Sequence, residues 1–179
     1  SSAASDVYKR QGVNRGNNAA ENTLYSGTIG GAMEAALQGI PAVALSQYYG
    51  PANRDLDDPF EAAAGHGADV IRRILDATPA HGDGYRLFYN VNFPPVAEAE
   101  VQGIRLAPQG MRRDTSFSTI PQLSPSGRRF LWIKGADQQI PTDDGTDAAL
   151  NLDGYISVTP MRADLTAHDT FDALKAINT

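Results

Sequence analysis

NAAENTLYSGTIGGAMEAALQGIPAVALS, residues 18–46, passes from a polar, small-residue mouth into an alanine-rich run and then into a short apolar stretch. Ile29, Met33, Ala36 and Leu37 fall at helical spacing, and Gly39 followed by Pro41 is a usual helix stop. The spacing predicts a helix from Thr28 to Gln38. The next run, IPAVALS at 40–46, is apolar and partly β-branched, which suits a buried parallel strand. A helix feeding directly into such a strand is the repeating unit of an α/β layered fold. At the mouth, Ser26 or Thr28 can cap the helix, and Gly27 lets a ligand approach the backbone closely. Unpaired N–H groups and the positive end of the helix dipole make the same place a seat for phosphate. Two readings stay open on these residues alone: a cap on a tightly packed helix, or a cap that also binds an anion.

Working outward, GVNRGNN (12–18) reads as a loop by its Gly and Asn content. Its asparagines offer neutral oxygens to a hard cation and amides to a phosphate oxygen. Residues 47–58 also read as a loop. Asp57 or Asp58 with Pro59 opens a second helix to about Asp76, with Phe60, Ala64, Ala68, Ile71 and Leu75 on its expected buried stripe. In 85–94 the alternation of Leu87, Tyr89, Val91 and Phe93 predicts a strand. Strands are also expected at 101–108 and 128–135. The polar stretch between them carries Arg112, Arg113 and the turn SPSGR, so 103–135 is expected to form a hairpin arm. Thr146 or Asp147 caps a short helical turn, 154–160 is a last strand, and 169–177 a closing helix.

The chain has 179 residues, 41% of them hydrophobic and 20% charged, which is the composition of a globular domain with a real core. A net charge of −6 argues against a nucleic-acid polymer or an anionic membrane as main partner, since both favour a basic surface. Absence of cysteine rules out disulfides, thiolate metal sites and a cysteine nucleophile. No apolar run reaches membrane-span length, and a cytoplasmic location is expected.

Residues 12–46 closely resemble the hallmark region of the SurE family, the survival-protein nucleotidases. The shared elements are G-V-N-R-G-N-N, then Y-S-G-T-I, then an alanine-rich helix ending before G-I-P-A-V-A. YNVNFP (89–94), GRRFLWIKG (127–135) and TDDGTDAALNLDGYISVTPMRADLTAH (142–168) match it in the same order. The resemblance implies a Rossmann-like three-layer α/β core with an extended arm that packs across a homodimer or homotetramer. It implies a phosphatase acting on nucleoside 5′- or 3′-monophosphates with Mg²⁺ or Mn²⁺. By position, Asn14 corresponds to an asparagine metal ligand, and Asn18, Ser26, Gly27 and Thr28 to residues around the substrate phosphate. An alternative keeps the phosphate loop and the arm in a non-catalytic binding or oligomerising domain.

The family opens with a strand ending in Asp-Asp, followed by a metal-binding serine, all upstream of the glycine matching Gly12. Only eleven residues stand there, and DVYKRQ has a single aliphatic residue and three charges, so it makes a poor buried strand. The expectation is a truncated member in which 1–11 is not family sequence and 12–179 is the SurE-like domain. The catalytic pair is unassigned, the first strand missing, and the chain by itself inactive. Other candidates carry blander readings. Asp143, Asp144 and Asp147 fail the calcium-loop spacing and read as turn and cap. Asp164 and His168 read as structural, while His66 and His81 have no partner in sequence. Arg112 and Arg113 read as solvated arm residues with an outside prospect of reaching a phosphate, and Trp132 as arm packing. Asp55, Asp57 and Asp58 stand as reserve metal ligands.

Overall fold

Residues 13–113, 118–135 and 137–178 are described by a computed structural model; the segment 1–11 set apart above, and Gly12, lie outside them. Five strands form the main sheet: β1 (Asn14–Arg15), β2 (Ala42–Gln47), β3 (Phe88–Phe93), β4 (Ile104–Leu106) and β7 (Ile156–Met161). Their order across the sheet is β1-β2-β3-β7-β4. The first three are parallel, β7 runs antiparallel to β3, and β4 is parallel to β7. The predicted α/β class therefore holds, and its helix-to-strand step at 27–47 is where the sequence placed it.

Two long helices sandwich the sheet. Helix α1 (Gly27–Leu37) lays Ile29, Ala32 and Ala36 on Ala44 and Phe88. Helix α2 (Glu61–Ala77) lays Ala62, Ala63, Val70 and Ile74 on Val91, Phe93, Ile156 and Val158. Alternate residues of β3 thus face different helices, as the pleat requires. Steps from β1 to β2 and from β2 to β3 advance one strand in the same direction, yet their helices cover opposite faces. Their two crossovers therefore have opposite hands, and one is the rare left-handed kind.

Several expectations shift. Asn14 and Arg15 form a short edge strand paired with Ser46 and Gln47, where a loop was expected. In α2 the buried residues are Ala62, Ala63, Gly67, Val70 and Ile74, while Ala64, Ala68 and Leu75 face solvent. The expected stripe is one position out of phase because alanine and glycine surround the helix and leave the sequence pattern flat. The strand expected at 101–108 shrinks to β4 and belongs to the main sheet. The hairpin instead pairs β5 (Ser118–Leu123) with β6 (Arg129–Lys134) across the SPSGR turn. No closing α-helix forms among 169–178; 3₁₀ turns at His168–Thr170 and Lys175–Ile177 lie exposed. The short α3 (Asp147–Leu152) does follow Thr146. Among the described residues, no helix is long and apolar enough to cross a membrane.

Candidate active site

The carboxyl ends of β1, β2 and β3 lie side by side, and α1 begins at that same end, because it must descend from β1 to reach the start of β2. This is the edge of an open parallel sheet where ligands bind. Asn14 closes β1. Its Nδ2 donates to the carbonyl of Gly16 at 2.9 Å, which leaves the side-chain oxygen free of that bond. Gly16, at φ 103°, turns the chain away from the sheet, a conformation that glycine adopts without strain, while its N–H still bonds to the Gln47 carbonyl.

Asn18 is buried and held on every side. Its backbone N–H donates to Asn92 Oδ1 at 2.7 Å, and its carbonyl accepts from Asn90 Nδ2 and Thr23 Oγ1. Its side-chain amide donates to Ser46 Oγ at 2.6 Å. Asn92 also reaches Asn90, so the two asparagines of β3 bracket the loop as a neighbouring strand would. Buried amides without partners are costly, so this network fixes the loop in one conformation. The apolar alternation in YNVNF does not disclose this role. Two asparagines in a strand otherwise fit for the core were the available signal.

Ser26 caps α1: its Oγ accepts the Ile29 N–H at 3.1 Å, as both open readings required. Thr28 is half-buried and its hydroxyl makes no hydrogen bond with a described residue. Gly27 is exposed, and a Cβ added there would meet nothing within 4 Å. N–H groups in the first turn have no partner within a helix. Ser26 answers the N–H of Ile29, so the mouth combines open space, an unused hydroxyl and the backbone donors of Gly27 and Thr28.

Asp147, read from sequence as a turn or cap residue, reaches back across the molecule. Fully buried, its carboxylate accepts the N–H groups of Ala20, Gly110 and Ala148 at 2.7–3.2 Å. Burial pushes this carboxyl above its ordinary range, against the opposing pull of those three N–H donors. Ala20 has φ 52°, the single positive-φ non-glycine among the described residues, and Asp147 is what clamps it. Gly110 must be glycine here, since a Cβ would lie 2.9 Å from Thr146 Oγ1 and 3.2 Å from Asp147 Oδ1.

Arg112 is also buried, against the expectation of a solvated arm residue. Its guanidinium donates to the Ala19 carbonyl at 3.3 Å and pairs with Glu21 at 3.4 Å. Packing of the 108–112 segment beneath the Asn17–Glu21 loop, a contact between distant parts of the chain, draws it in. Arg113 stays exposed beside Asp143 at 3.5 Å. His168 pairs with Asp164 at 2.6 Å on the surface, a local tie. His66 makes a single long contact to the Glu98 carbonyl, and Trp132 lies exposed on the hairpin.

Among the described residues no three histidine, aspartate or glutamate side chains come close enough to hold a metal ion. Asp55 and Asp58 are exposed and engaged with Arg54 and the Phe60 N–H. Asn14 alone contributes one neutral oxygen, which does not hold a divalent cation. The described residues therefore do not by themselves fit Mg²⁺ or Mn²⁺.

Comparison with known proteins agrees with this geometry. The model of the survival protein SurE family matches residues 11–116. A 5′-nucleotidase SurE of Roseobacter denitrificans is 71% identical over 168 residues, covering 94% of this chain and 64% of the relative. One from Ruegeria pomeroyi is 68% identical over 165 residues, covering 92% and 64%. The chain thus spans just under two thirds of the length of the curated relatives it matches. The crystal structure of the SurE protein from Aquifex aeolicus superposes with a TM-score of 0.69 at 31% identity, covering 94% of this chain and 64% of that one. With more than half its length matched by the family model and its sheet superposing on a solved member, the chain belongs to the SurE family.

Proposed function

We propose that this protein is a phosphomonoesterase that hydrolyses nucleoside 5′- or 3′-monophosphates to nucleoside and phosphate. The observation that carries this reading is the mouth of α1. There a capped helix start, an unused Thr28 hydroxyl and the open face of Gly27 converge at the carboxyl ends of parallel strands. The first-turn N–H groups and the Thr28 hydroxyl would hold the phosphoryl oxygens and the charge that grows on them in the transition state. Asn18 lines the approach from the neighbouring loop, its position set by Asn92 and Ser46. The names carried by relatives at 68–71% identity support the same substrate class.

Divalent metal dependence, on Mg²⁺ or Mn²⁺, follows from the family; toward it the described residues contribute the Asn14 oxygen alone. Assembly into a homodimer or homotetramer through the hairpin is part of the reading. Both faces of the hairpin expose apolar side chains, Ile120, Phe130 and Trp132 on one and Leu123, Leu131 and Ile133 on the other. The site of action would be the cytoplasm, away from nucleic-acid polymers and membranes.

Phosphate release from AMP and 3′-AMP, followed with Mg²⁺, Mn²⁺ or EDTA in a protein of the relatives' full length, tests the reaction. Metal-dependent release is expected, and its absence with every nucleoside monophosphate would overturn it. Ser26→Ala and Thr28→Ala should each raise the inhibition constant for inorganic phosphate by about tenfold, the worth of one hydrogen bond to a charged group. Unchanged inhibition in both variants would remove the helix mouth from the site.

A further inference from the structure

At the opposite end of the sheet, where β2 and β3 begin and α2 ends, lies a second concavity of about 300 Å³. That volume is at the lower end of what small-molecule sites occupy. Ile74, Leu75 and Val43 form part of its apolar wall. Tyr89 adds a fixed aromatic edge, its hydroxyl bonded to Thr78 Oγ1 at 2.8 Å.

Its polar lining has the wrong charge for this protein. The chain as a whole carries −6, yet Arg86, Arg162 and His81 line the cavity against the single carboxylate of Asp83. Neither arginine makes a hydrogen bond, ion pair or ring contact with a described residue. The Nε of Arg86 is buried with no hydrogen-bond partner among the described residues. Among the other described arginines, Arg54, Arg72, Arg73, Arg112 and Arg113 pair with carboxylates and Arg15 and Arg105 stack on tyrosines, whereas Arg128 and Arg129 stand exposed on the hairpin. A desolvated guanidinium donor without an acceptor is costly, and a planar fork of donors matches a phosphate or carboxylate oxygen pair. Two such groups on an acidic protein also focus anions locally.

We infer that this cavity is a second anion site, distinct from the mouth of α1, and that it takes a small phosphate-bearing molecule whose apolar part rests on Ile74 and Val43. Two guanidinium groups favour a dianion, which a phosphate monoester supplies and a simple carboxylate does not. The site stands whether or not the helix mouth binds phosphate, because it shares no residue with it.

Titration of the 179-residue chain with inorganic phosphate and, separately, acetate, followed by amide NMR shifts at Val43, Arg86 and Tyr89, tests the assignment. Phosphate should produce saturable shifts there, and acetate should bind at least about tenfold more weakly. Arg86→Gln with Arg162→Gln should weaken phosphate at these amides by about tenfold or more, while Asp83→Asn should tighten it. Ser26→Ala should leave them unaltered. Saturation that survives the double variant, equal binding of acetate, or no saturable shift in the parent would each overturn the proposal. The Asp83→Asn arm keeps it falsifiable if the arginine variants unfold, since weaker binding in that variant also counts against it.

Discussion

Asp147 ties the loop before the helix mouth to the 110 and 148 segments through three backbone N–H groups. Replacing it with Asn can keep Oδ1 on the N–H groups of Gly110 and Ala148 but puts an amide donor where Oδ2 accepts the Ala20 N–H. A cost of about 1–3 kcal/mol is expected, the price of leaving buried polar groups unpaired, read as a lower urea midpoint. The pH dependence has a definite sign. Burial raises the folded carboxyl's pKa, so the folded chain holds this proton more tightly than the unfolded one. Its contribution to stability is full at low pH and falls as pH climbs from the ordinary carboxylate range through the raised folded value. Urea midpoints measured from about pH 4 to pH 7 should show that decline in the parent and lose it in Asp147→Asn. A decline of equal size in both would assign it to other groups. Ser26→Ala, by contrast, should cost about 1 kcal/mol through the lost cap at any pH, its hydroxyl having no charge to titrate.

Elements differ in how far they could be read beforehand. Helix α1 and strand β2 were legible because a cap, a glycine–proline stop and a β-branched run all agree within thirty residues. Helix α2 was legible as a helix but not in its rotation. Ala62, Ala63, Ala64, Gly65, Gly67 and Ala68 look alike on every side, and the choice is made from outside the helix. There Gln47 Oε1 accepts the Ala63 N–H at 3.2 Å, anchored in turn by its own amide to the Tyr48 and Pro94 carbonyls. Gln47→Ala should therefore loosen the first turn of α2, visible as faster amide exchange at Ala63 with Val70 and Ile74 little changed. The hairpin was legible as a hairpin, but its first strand, STIPQL, carries a proline and three polar residues and gave no strand pattern. A lone two-stranded ribbon is marginal in water. Deleting 118–134 is expected to shift the protein towards monomer in sedimentation while the main sheet's circular dichroism persists; an unchanged oligomer would exclude the ribbon as the contact.

At the scale of the molecule, local signals ran out wherever distant segments meet. The motif residues Asn14, Asn18 and Ser26–Thr28 could be singled out from spacing and resemblance. Their supports, Asn90, Asn92, Arg112 and Asp147, come from 72 to 127 residues further along, and no periodicity links them. The hand of the two crossovers was equally hidden, since each helix reads the same whichever face it covers. The reach of Asp147 has a further consequence, for the order in which the chain can assemble. Ala20 is separated from its clamp by 127 positions, so the loop cannot settle until Asp147 has left the ribosome. Until then the helix mouth would exist as a capped helix beside an unset loop.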